Sequence, residues 1–168
     1  MDVDQLQSLT PLHWVALTHA AITCFIAGLI WTIQIVHYPL FAWVPPRAFT
    51  GQDTTNQPNN QGYEREHMRR ITLIVGPAML LELITAIALT ILIPAELRPI
   101  AIAALVALFI IWISTATTQG PLHMKIAETA DRTLIRKLVN TNWLRTTLWS
   151  ARSLTAIALL PAVLSHTP

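Results

Sequence analysis

His37, His67 and His123 are the side chains of this sequence best suited to chemistry. Neutral imidazole is the commonest nitrogen ligand for zinc, iron and copper, and it also carries protons near neutral pH. Each histidine flanks a long apolar stretch. His37 closes the first in Trp31-Thr32-Ile33-Gln34-Ile35-Val36-His37-Tyr38-Pro39-Leu40-Phe41, where Pro39 predicts a kink or a stop. His67 opens the second, and His123 follows the third in Gln119-Gly120-Pro121-Leu122-His123. Glu64 and Glu66 precede His67, and a carboxylate beside imidazoles is typical of iron and zinc sites. The expectation is a metal site with His37, His67 and His123 as ligands to iron or another transition metal. In a second form, two of them are axial haem ligands and Arg145 or Arg69 pairs the propionates. Gln34, Tyr38, Tyr63, Gln119 and Asn142 would supply surrounding hydrogen bonds, and Arg145 would bind an anionic substrate. A plainer reading stands beside these: His, Tyr, Trp and Arg collect where helices leave a bilayer, and no two of the histidines form a short ligand motif.

The elements that must bring these residues together are four apolar runs, at about 12–38, 68–93, 99–119 and 141–164. As helices, runs of about 20 residues cross a hydrocarbon core about 30 Å thick. The whole chain of 168 residues is 53% hydrophobic and only 12% charged, against about 25% charged in soluble domains. The expected fold is all-α: one domain, an integral membrane antiparallel four-transmembrane-helix bundle. The short turn Pro94-Ala95-Glu96-Leu97-Arg98-Pro99 forces spans two and three to be neighbours, and small residues such as Ala86, Ala101 and Ala104 allow close approach. Gly76-Pro77 predicts a kink in the second span. The beginning, MDVDQLQSLTP, lacks the basic stretch of a signal peptide, so the first span is expected to be retained. The single cysteine, Cys24, excludes an intrachain disulfide framework and a Cys-based metal site.

Charge placement orients the bundle. Arg47, Arg65, Arg69 and Arg70 lie between spans one and two, and Lys125, Arg132, Arg136 and Lys137 between spans three and four. The opposite face has only Arg98. Cytoplasmic loops at 42–62 and 120–138 and periplasmic termini in a bacterial inner membrane follow from this bias. Residues 45–62, rich in Pro, Asn, Gln and Gly, read as an irregular connection, whereas 131–138 has helical composition. All three histidines then fall at the cytoplasmic end, with His13, His19 and His166 toward the other. The lipid bilayer is the expected partner, with other membrane subunits or a second copy of the chain, and nothing points to nucleic acid.

Deeper in the spans lie Glu82 and Arg152. Charge at that depth is costly and normally paired, so a buried ion pair is expected, with Thr85 or Thr155 contributing. Asn142, Arg145, Trp149 and Arg152 follow offsets of three and four and share one helical face. The pair reads either as a structural bridge that fixes helix register or as part of a proton or substrate relay. Trp31, Trp43, Trp112, Trp143 and Trp149 read as belt or packing residues.

These segments carry a resemblance. The stretch ending His37-Tyr38-Pro39-Leu40-Phe41, the trio Tyr63, His67 and Arg70, Ile74-Val75-Gly76-Pro77-Ala78-Met79-Leu80-Leu81-Glu82, Gln119 to His123, and Leu138-Val139-Asn140-Thr141-Asn142-Trp143-Leu144-Arg145-Thr146 resemble an uncharacterised bacterial four-span integral membrane protein family. The Asn/Gln-rich insert after Gly51 departs from it. The last span also bears a looser likeness to anthrone-oxygenase-like four-helix membrane proteins. The resemblance implies four spans and the same polar residues, and no activity. Two functions remain: a metal- or haem-dependent oxidoreductase, or a non-catalytic accessory or structural subunit of a larger membrane complex that binds lipid, pigment or quinone.

Overall fold

The computed structural model describes residues 9–51 and 62–165, and among these every regular element is helical. Residues 52–61 of the polar connection, and His166, lie outside the described residues. Four long helices carry the fold: α1 (Pro11–Trp43), α3 (Tyr63–Leu92), α4 (Arg98–Thr129) and α5 (Arg132–Leu164), each long and apolar enough to cross a membrane. A short helix, α2 (Pro46–Thr50), follows α1.

Local sequence sets each boundary. Thr10 and His13 form a reciprocal capping box at the start of α1: the Thr10 side chain accepts from the His13 N–H, and the Thr10 N–H donates to His13 Nδ1. Asp131 caps α5 by accepting from the Thr133 N–H at 2.7 Å. Ala130, left-handed at φ 50°, turns the chain from α4 into α5, so the 120–138 segment is helical on both sides of that turn. Gly62 has φ 78°, and a Cβ there would lie 2.6 Å from the Phe49 carbonyl oxygen. Only glycine lets α2 close onto the start of α3.

Pro39 neither stops nor simply kinks α1. The residue before it, Tyr38, donates its N–H to the carbonyl of Ile33, opening a π-helical turn over Ile33–His37. The same device recurs in α4, where Gly120, the residue before Pro121, donates to Thr115 and opens Thr115–Gln119. Proline has no N–H to complete the ordinary ladder, and a widened turn absorbs the fault. Pro77 and Pro161 are carried inside α3 and α5.

The interior has two apolar cores with a polar layer between them. One gathers Ile26, Ile30, Phe41, Phe49, Met79, Ile126, Leu138 and Trp149; the other gathers Ala16, Leu89, Ile93, Ala101 and Val163. The outward faces are also apolar: Phe25, Leu73, Ile84, Ile91, Val106, Ile113 and Leu154 are all exposed. Leu138 is fully buried and Leu154 is 67% exposed. Leu138→Ala is therefore expected to lower unfolding stability by about 2–5 kcal/mol, and Leu154→Ala by less than about 0.5 kcal/mol. Denaturant unfolding of both variants in detergent micelles checks this; equal losses would contradict the buried and exposed faces described.

Candidate functional site

The three histidines meet. The π-turn of α1 presents His37, the first turns of α3 present His67 and Glu64, and the segment after the second π-turn presents His123. His37 Nε2 lies 3.0 Å from His67 Nδ1. Their ring centroids are 4.4 Å apart and the planes are tilted by 39°, so the rings lie side by side rather than head to head. The His67 and His123 centroids are 5.8 Å apart. His37 and His67 are half-buried at the rim; His123 is buried.

Of the two acidic candidates, the fold brings in Glu64. It is fully buried, and its Oε1 forms a very short hydrogen bond with His123 Nδ1. Glu66 turns outward and pairs with Arg69 and Arg70 at 2.8 and 2.6 Å. With Glu64 ionised, His123 donates from Nδ1, and its Nε2 accepts the Tyr38 hydroxyl at 2.9 Å. Glu64 Oε2 is buried with no hydrogen-bond partner. Tyr63 joins through its ring, stacked on His67 at 10° between planes. Phe49 of α2 packs edge-on against Phe41 and closes the cluster over. Among the described residues, no three His, Cys, Asp or Glu side chains stand in the arrangement a bound metal ion requires.

A turn deeper, Gln34 Oε1 accepts from Asn142 Nδ2 at 2.8 Å and Gln34 Nε2 donates to the Val139 carbonyl. Asn142 Oδ1 in turn accepts from Arg145 Nη1 at 3.2 Å. Arg145 lies beside the Tyr38 phenol, and its guanidinium sits 5.1 Å from the Trp149 ring centroid. Gln119 Nε2 donates to the Thr141 hydroxyl, while its own Oε1 has no partner.

Glu82 and Arg152 form the ion pair, with Arg152 Nη2 at 3.0 Å and Nε at 3.2 Å from Glu82 Oε1. Neither threonine completes it. Thr85 bonds His19 and backbone carbonyls, and Thr155 bonds the Ala151 carbonyl. The partners are instead Trp149, whose Nε1–H donates to Glu82 Oε2 at 2.9 Å, and the Ala104 carbonyl, which accepts a short bond from Arg152 Nη1. Trp149 is thus fully buried and hydrogen-bonded, not a belt residue. Its place on the Asn142–Arg152 stripe carried that signal, since a buried indole N–H needs an acceptor. Trp31 and Trp143 meet edge to face near the surface, and Trp31 donates to the Ser150 hydroxyl.

The pair is enclosed, so removing one member leaves the other charge buried. Glu82→Gln and Arg152→Gln should each destabilise by about 3–5 kcal/mol, and the double variant by clearly less than their sum. Unfolding midpoints of all four proteins close the cycle; strictly additive losses would contradict the pairing. No family model matches the chain, and no curated protein or solved structure matches it.

Proposed function

We propose that the chain is a multi-pass bacterial inner-membrane protein, a bundle of four antiparallel spans whose cytoplasmic end holds a transition-metal site for redox chemistry. Insertion is supported by the apolar residues that cover the outer faces of all four long helices, since soluble monomers rarely expose contiguous apolar patches of that extent. Antiparallel order is supported by two contacts between α1 and α3: His19, early in α1, bonds Thr85, late in α3, while His37, late in α1, meets His67, early in α3. The eight-to-one bias of Lys and Arg favours the histidine end as cytoplasmic.

The observation that carries the metal reading is the close pair His37 and His67, with Glu64, a buried carboxylate that has a free oxygen, at the same end of the bundle. The three do not yet stand in a ligating arrangement, so a metal would have to draw Glu64 Oε2 toward the pair. His37 Nε2 and His67 Nδ1 share a hydrogen bond at 3.0 Å, and a metal that replaced the shared proton would find two nitrogens about 3.0 Å apart, the spacing of neighbouring ligands about 2.1 Å from one octahedral ion. Glu64 precedes His67 by one turn on the same face of α3 and brings the unpartnered Oε2. Two imidazoles and one carboxylate are the donors of non-haem iron and zinc centres with open positions. His123, with both ring nitrogens engaged, orients Glu64 instead of ligating. Such a metal would supply Lewis-acid or electron-transfer chemistry at the rim. The protein's part is to fix the donors and, through Phe41 and Phe49, to exclude water. Haem suits the geometry less well, because axial imidazoles stand on opposite sides of the iron, about two metal–nitrogen bond lengths apart.

Metal analysis of gently purified protein should find about one transition-metal ion per chain. His37→Ala and His67→Ala should lose it, and His123→Ala should weaken binding by about 10–100-fold. Metal-free, colourless protein that co-purifies with a larger assembly would overturn this reading in favour of an accessory subunit.

A further inference from the structure

Two buried arginines in α5 are treated differently by the fold. Arg152 has Glu82. Arg145, only 5% exposed, has no Asp or Glu carboxylate within ion-pair distance among the described residues. Its neighbours are neutral: the Asn142 amide oxygen, the Tyr38 phenol and the Trp149 ring face. Glu64, the carboxylate next along the network, is committed to His123. A guanidinium enclosed at this depth without a counter-charge is costly, and protein interiors do not ordinarily leave one so.

The guanidinium also shares a hydrogen bond with the Tyr38 phenol, and one donor is left over. Nη1 is taken by Asn142, whereas Nε is buried and donates to nothing. The Nε–Nη2 edge of a guanidinium presents two parallel N–H bonds, which match the two oxygens of a planar carboxylate better than a spherical ion. We propose that Arg145 is the binding residue for a small organic carboxylate, which supplies the counter-charge this guanidinium lacks. The proposal names the substrate class of the site described above and rests on that reading. Metal content and carboxylate response are separate readouts, so either can fail while the other holds.

The test uses the full-length chain in detergent at constant ionic strength. Its unfolding midpoint is followed against sodium acetate and sodium benzoate, with inorganic phosphate and chloride as comparison anions. Acetate or benzoate should raise the midpoint saturably, by on the order of 5 °C at saturation, while phosphate and chloride should not. Arg145→Gln should lose the response and, in carboxylate-free buffer, unfold no lower than the unmodified chain. Arg145→Lys keeps the charge without the forked edge, and should need at least about tenfold more carboxylate for half-saturation. An absent response, one equal for all four anions, or one retained in Arg145→Gln would overturn the proposal. So would an Arg145→Gln variant that unfolds well below the unmodified chain without carboxylate, since that would show the charge to be already compensated.

Discussion

The constraint on which the rest of the structure depends is that ionised groups are buried among the helices. Glu82 is fully enclosed and Arg152 nearly so, and their bond sits between the two apolar cores. Neither charge is stable there alone. The pair, the Trp149 N–H and the Ala104 carbonyl together tie α3, α4 and α5 into one register. Apolar packing in a bundle with apolar faces inside and out has little to say about rotation of one helix against another, because either apolar face of a helix could serve as the inner one. Polar contacts with a single correct geometry do fix it. His19 with Thr85 at one end and Gln34 with Asn142 at the other bring α1 into the same arrangement.

With register fixed, the histidine end becomes a matter of backbone detail. Each of the two π-turns is closed by the N–H of the residue before a proline, and each precedes or contains side chains of the cluster. A widened turn shifts the residues that follow around the helix axis, so His37 of α1 meets His67 of α3 while the adjacent Tyr38 meets His123 of α4. The result separates the histidines by task. His37 and His67 bond each other at the rim, whereas His123 is held between Tyr38 and Glu64.

Much of this was legible in the amino-acid order because it follows from periodicity and depth. The four long apolar helices, the Glu82–Arg152 partnership and the shared face of Asn142, Arg145, Trp149 and Arg152 need only a 3.6-residue repeat and the cost of buried charge. The convergence of the three histidines depended on depth alone and was reached in the same way. What was not legible depended on tertiary direction. Glu64 and Glu66 are two residues apart, and nothing local says which faces inward; packing against His123 decides it. The role of Trp149 was hidden because an indole serves equally as a membrane-interface anchor and as a buried donor. Pro39 and Pro121 signalled a disturbed helix without showing that it would widen and continue.

The central claim is that His37 and His67 form a metal-binding pair with a carboxylate beside them. X-ray absorption fine structure of the protein loaded with cobalt or zinc addresses it most directly, because it reads ligand type and distance at the metal itself. The account predicts a shell with two imidazole nitrogens at about 2.0–2.1 Å and oxygen from a carboxylate, collapsing when His37 is removed. A shell of oxygen alone, or one unchanged by loss of His37 and His67, would contradict it.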